Sequence, residues 1–215
     1  MNFAKKIKKA NFSKVYISIH SHISEHHDYL TQIKGSWKQT FEGIKNSIEL
    51  EIPLMTNTVI NKVNYKDIPE LVSMLSGIGV RKIELDFIRY IGNAKVYFND
   101  LKIRMSEIWP YLKKTFDISK TLPIDMIYID DYPMCLMKGY EKFNADSFGE
   151  ENEIHDEESK HYNVDFKDGA SIHENEKIYT KRCNKCKYRK KCQGVWKEYI
   201  EYFGDGELRP VIDKL

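Results

Sequence analysis

Short runs of β-branched and aromatic residues alternate along this chain with longer stretches whose apolar residues return every three or four positions. That alternation predicts strands and helices in turn. Val15-Tyr16-Ile17-Ser18-Ile19 reads as a buried strand, and the polar stretch 20–34 follows it as a loop with some helix. From Ser36, which can cap a helix, Trp37, Phe41, Ile44 and Ile48 recur at the spacing of one helical face. A strand over 54–60 comes next. Asp67 then stands at the N-cap position of a second helix with Ile68, Leu71, Val72 and Leu75 on one stripe and Gly77 and Gly79 at its end. A third strand is predicted over 82–88, followed by the loop Tyr90-Ile91-Gly92-Asn93-Ala94. A helix from Asn99 or Asp100 runs through Leu101, Met105, Ile108 and Leu112 with an interruption at Pro110, and a fourth strand covers 123–129.

Repeated β-α units with helical crossovers imply an α/β fold with a parallel sheet and right-handed connections. The strand count is that of half a barrel, so the expected architecture is a partial (β/α) TIM-type barrel over 1–130. A small cysteine-rich domain over 131–215 follows it. At 215 residues, 41% hydrophobic and 31% charged, the chain can bury one sizeable core and a small second lobe. A formal net charge of +2 points to no particular partner. No apolar run approaches the roughly 18 residues of a membrane span, so no membrane partner is expected. The lysine-rich start, Asn2 to Ala10, reads as a helix with its lysines in solvent, and with no secretory pattern the expected location is cytoplasmic. The stretch 146–176, crowded with Asp and Glu and short of aliphatics, reads as an acidic linker, with binding of a basic leader peptide as the other reading.

The sequence has four cysteines: Cys135, and Cys183, Cys186 and Cys192 at a C-x2-C-x5-C spacing. Two thiols separated by two residues can face one ion, and four thiolates complete either a tetrahedral zinc site or an iron–sulfur site. Two disulfides are the alternative, and the absence of a secretory signal weighs against them. Lys181, Arg182, Lys185, Lys187, Arg189, Lys190 and Lys191 surround these thiols. Such a basic collar is expected to lower thiol pKa values and offset thiolate charge, or else to face solvent or nucleic acid. His20, His22, His26 and His27 read as loop polarity and substrate contact, since adjacent His26 and His27 would point apart on a helix.

After Cys192 the sequence continues Gln193-Gly194-Val195-Trp196, then Tyr199, Tyr202-Phe203-Gly204 and Gly206-Glu207-Leu208-Arg209-Pro210. By pattern alone this is a helix after Gly194 with Trp196, Tyr199 and Phe203 on one face, stopped by Pro210. The run also resembles the auxiliary-cluster region of radical S-adenosylmethionine (radical SAM) enzymes of the SPASM/twitch type, many of them peptide-modifying maturases. The resemblance extends back through Val15 to His20, His27-Asp28 and Gly35 to Phe41, with weaker likeness at Asn57 and at Gly92-Asn93-Ala94. It implies a [4Fe–4S] cluster on Cys135, Cys183, Cys186 and Cys192. It also implies S-adenosylmethionine near Ser18 and Asn57, with the adenine near the Ile91-Gly92 backbone.

Enzymes of that family hold a catalytic cluster with a C-x3-C-x2-C motif, which is not in this sequence. The resemblance therefore implies the C-terminal portion of a truncated or split enzyme, inactive alone, whose partner is an N-terminal radical SAM half. The implied chemistry is 5′-deoxyadenosyl-radical modification of a peptide or protein. The alternatives are a non-catalytic iron–sulfur or zinc-binding module and, less favoured, a zinc-ribbon nucleic-acid binder. An acidic remainder beside one basic loop argues against nucleic acid.

Overall fold

The computed structural model describes residues 1–148 and 176–212. Four strands, β1 (Val15–Ser18), β2 (Leu54–Ile60), β3 (Lys82–Phe87) and β4 (Met126–Asp130), form one parallel sheet in chain order. Helices α1 (Asn2–Ala10), α2 (Ser24–Thr31), α3 (Ser36–Glu49), α4 (Ile68–Gly77), α5 (Gly92–Val96), α6 (Phe98–Leu101) and α7 (Met105–Ser119) supply the N-terminal element and the crossovers. This is a mixed α/β fold with the predicted parallel sheet, whose strands need helical returns. Among the described residues no helix is long and apolar enough to cross a membrane.

Strand periodicity divides the sheet into two unlike faces. Ile83, Leu85, Phe87, Ile127 and Ile129 are buried in one core with Ile44 of α3, Leu71, Val72 and Leu75 of α4 and Ile108, Leu112 and Phe116 of α7. The opposite face carries Ser18, Asn57, Glu84, Asp86, Tyr128 and Asp130, in register from strand to strand. Parallel sheets usually bury apolar residues on both faces. Here the alternation in Lys82-Ile83-Glu84-Leu85-Asp86-Phe87 leaves one face polar.

Several caps differ from the sequence expectation. Ser36 is the first residue of α3 and does not cap it; Gly35, at φ 84°, is the N-cap. The α3 N-terminus is satisfied by Asp28, whose carboxylate accepts from the Gly35 and Trp37 amides and the Ser36 hydroxyl. Asp67 occupies the N-cap position of α4, but its carboxylate accepts from Ser21 Oγ and meets His26 Nδ1, each at 2.6 Å. The helix expected from Asn99 is split, and the break falls at 102–104 instead of at Pro110. Extended Arg104 caps α7, its amide donating to Glu107 Oε1 at 3.0 Å. Pro110, six positions into α7, removes one backbone donor without ending the helix. β4 starts at Met126, three residues later than expected.

The cysteine-rich segment contributes a two-stranded antiparallel ribbon, β5 (Lys177–Ile178) with β6 (Val195–Trp196), and helix α8 (Lys197–Phe203). Trp196 falls in β6 instead of in the helix, yet it remains buried together with Val195, Tyr199 and Leu208. These side chains join the apolar cluster of the sheet: Tyr199 meets Phe87 edge-on at 5.6 Å, and its hydroxyl accepts from the Met105 amide at 3.0 Å. Most of the acidic linker expected over 146–176 lies outside the described residues.

Candidate functional site

Cys135 sits in a 3-10 turn, Met134–Leu136, just beyond β4. Cys183 lies in the turn Lys181–Lys185, Cys186 separates it from the turn Lys187–Lys190, and Cys192 follows. Successive amide-to-carbonyl bonds shape this loop, from Cys186 N to Cys183 O at 3.1 Å and from Cys192 N to Tyr188 O at 2.8 Å. All four cysteines are free, half-buried and line one pocket. The C-x-G step has a steric cause. Gly194 has φ 97°, and a Cβ there would lie 2.6 Å from the Ile178 carbonyl oxygen. Its amide donates to Cys192 Sγ at 3.4 Å.

The thiol spacing bears on which group fits. A tetrahedral zinc site with bonds of about 2.3 Å holds its sulfurs roughly 3.8 Å apart. Among the described residues the group of three ligand atoms all within 4.8 Å of one another is Glu84, Asp86 and Asp130, and no three thiols are that close. Four thiols around a common pocket but farther apart suit a cluster, which places several atoms between its ligands. The expected lowering of thiol pKa by the basic collar does not hold at the two inner cysteines. Burial pushes the Cys135 thiol up to about 11, opposed by the Arg209 amide and reinforced by the other three cysteines. Burial also raises Cys192, opposed by the Gly194 and Met134 amides. The collar cations are exposed, and desolvation outweighs them, so a bound group must itself displace these protons.

The second feature is a cleft of about 530 Å³ at the C-terminal ends of the strands, where parallel α/β sheets place their ligands. Its polar lining includes His20, Asn61, Asp86, Arg89, Asn93 and Asp131. Ser18 and Asn57 are paired across β1 and β2 on the polar face, and the Asn57 amide donates to Asp86. Burial, then the neighbouring Glu84, push the Asp86 carboxyl up to about 8. Ile91 precedes α5 and Gly92 begins it, directly before the cleft residues Asn93 and Ala94. The structure thus puts Ser18 beside Asn57 behind the cleft and Ile91-Gly92 at its margin, and none of the four lines it. Asp86, Arg89 and Asp131 escaped sequence reasoning as cleft residues, although their places at or just past strand ends were a usable sign.

Histidine packing also shapes this wall. His27 is buried; its Nδ1 accepts from the His20 amide at 3.0 Å, which places the proton on Nε2. The two rings stack at 5.6 Å. Burial, then His27, lower His20 to about 4, and burial lowers His27. The unfolded chain, with histidines near 6.5, therefore takes up protons first as pH falls. Stability from His20 is fully present above about pH 6.5 and is lost towards about pH 4, on the order of 3 kcal/mol across the window. Urea melts should show a steeper acid-side fall for wild type than for His20→Gln; parallel curves would refute the burial argument.

No family model matches this sequence. It is similar to the GTP 3′,8-cyclase of Helicobacter pylori, 32% identical over 120 residues, which are 55% of this chain and 36% of that protein. A probable GTP 3′,8-cyclase of Methanocaldococcus jannaschii is 27% identical over 108 residues, 50% of this chain and 36% of the relative. The Fe-coproporphyrin III synthase of Methanosarcina barkeri is 27% identical over 133 residues, 60% of this chain and 33% of the relative. The chain spans about a third of the length of these relatives.

Proposed function

We propose that this chain is the C-terminal portion of a radical SAM enzyme, with Cys135, Cys183, Cys186 and Cys192 holding an auxiliary [4Fe–4S] cluster next to the strand ends of a (β/α) barrel. The convergence of four free thiols from two distant segments on one pocket carries this reading. The ordered parallel sheet, the cleft at its strand ends and the similarity to a GTP 3′,8-cyclase and an Fe-coproporphyrin III synthase support it. In this reading Ser18 and Asn57 approach the ribose and carboxylate of S-adenosylmethionine, and the Ile91-Gly92 backbone approaches its adenine. A bound auxiliary cluster would supply one-electron transfer or substrate anchoring. The chain itself supplies the thiolates, shields them by burial and steadies Cys192 with the Gly194 N–H.

All four cysteines are committed to this site, so the C-x3-C-x2-C triad belongs to other polypeptide, either in the same protein or in a partner chain. The outer edge of β1, unpaired among the described residues, and the polar sheet face are where that polypeptide would join. The substrate in this reading is a peptide or protein. A small-molecule substrate is the second reading, favoured by the nucleotide and porphyrin in the relatives' names.

Reductive cleavage of S-adenosylmethionine needs an iron with an open coordination position, and a cluster with four cysteine ligands has none. The reconstituted chain with dithionite and S-adenosylmethionine should therefore give a reduced-cluster EPR signal that S-adenosylmethionine leaves unchanged, and no 5′-deoxyadenosine. Product above a cluster-free control would show that one of the four cysteines is not a ligand and would overturn the assignment.

A further inference from the structure

We infer that Glu84, Asp86 and Asp130 form a site for a hard divalent cation of the Mg2+ or Mn2+ class on the polar face of the sheet. One carboxylate oxygen from each lies within 4.8 Å of the others, and all three residues are half-buried. The register makes the grouping: Glu84 and Asp86 are successive residues on that face of β3, and Asp130 of β4 pairs directly with Asp86. Asn57 of β2, paired with Glu84, braces the group by donating from its side-chain amide to Asp86.

A second observation on β4 points to something bound there. Tyr128 pairs with Glu84, is 1% exposed, and its hydroxyl lies against Glu84 and close to Asp86. Among the described residues that hydroxyl has no hydrogen-bond partner of normal geometry. A buried phenol oxygen beside Glu84 and Asp86 has a lone pair placed to accept from a water on a bound cation. Leaving it unmet costs free energy that a lone hydrophobic contact does not return. Among the described residues the nearby positive side chains do not complete the group. Lys177 Nζ is 3.9 Å from Asp130 but is engaged by Asp131 at 2.8 Å and by Gln193 Oε1 at 2.9 Å. Lys14 is a minor influence on Glu84.

The donor set selects the cation class. Every donor is oxygen, with neither thiol nor imidazole among the three, which favours Mg2+, Mn2+ or Ca2+ over zinc or copper. Three carboxylates from two adjacent strands occupy one side of a coordination sphere and leave the other for water, as Mg2+ and Mn2+ prefer. The site is distinct from the cysteine pocket and does not depend on the radical SAM reading.

Titration of the cluster-loaded chain with Mn2+, followed by the EPR signal of free Mn2+, tests this. One Mn2+ per chain should bind more tightly than about 1 mM and be displaced by Mg2+. Asp86→Asn and Glu84→Gln should each weaken it by about tenfold or more, while Glu42→Gln, at an exposed position of α3, leaves it unchanged, with circular dichroism confirming that the variants fold. Tyr128→Phe should weaken it by only a few-fold, the loss of one water contact. Absence of a site tighter than about 1 mM would overturn the inference, as expected if a Lys or Arg of covering polypeptide completes the face instead. Equal binding by Asp86→Asn would overturn it as well. Retention of Mn2+ binding by Cys135→Ser would show that the two sites stand or fall separately.

Discussion

Cys135→Ser is expected to remove nearly all bound iron and sulfide and to loosen the segment around the cysteine loop. In the proposed site Cys135 would be the ligand supplied from the end of β4, whereas the other three would come from one ten-residue run. Without it the run can gather at most three thiols, and a cluster needing four protein ligands is left with an open iron in a pocket lined by Pro133, Val195 and Leu208. Metal binding is also folding free energy where a site does not preform in the unfolded chain. The variant should therefore lose the brown absorbance and show faster amide exchange across β5, β6 and the intervening turns. Iron and acid-labile sulfide per chain, measured after identical anaerobic reconstitution, decide the matter. Loading equal to wild type would mean that Cys135 is a bystander.

Trp196→Ala is expected to destabilise the protein by about 3–5 kcal/mol, the range for deleting a large buried aromatic. Trp196 is 5% exposed and lies between two cations, with the Arg89 guanidinium 4.0 Å and the Lys177 ammonium 4.8 Å from its ring. Those cations come from the two parts of the fold that the ring joins: Arg89 follows β3, and Lys177 lies in β5 where it reaches Asp131 beyond β4. Losing the indole removes packing and up to about 2 kcal/mol per desolvated cation–π contact, so the effect should exceed that of an isolated surface tryptophan. Trp196→Phe keeps a ring face and should recover most of the loss. Urea denaturation checks both variants. A cost below about 1 kcal/mol for Trp196→Ala would show that the ring is not a junction.

The strands and their parallel pairing were legible because Val15 to Ile19 and 54–60 are rich in β-branched residues, 82–88 alternates apolar and charged residues, and helical patterns separate them. Cys135 and the C-x2-C-x5-C run do line one pocket, as a shared site requires, but the expected lowering of thiol pKa fails at Cys135 and Cys192, because charge is visible in a sequence and burial is not. Ser36 and Asp67 were misread as caps for a related reason. The start of α3 is served by the Asp28 carboxylate and the Asp67 carboxylate is taken by Ser21 and His26, partners fixed by tertiary position, and local capping preference is a weak guide once such partners exist. Glu84 and Asp86 did show period-two alternation. The usual expectation that parallel strands are buried on both faces obscured its meaning.

The most direct test of the account is the metal content of the wild-type chain purified anaerobically. A brown protein with iron and acid-labile sulfide in about equal amount, near four of each per chain, and an EPR signal on reduction is the predicted result. A colourless protein with one tightly bound zinc and no labile sulfide would contradict it.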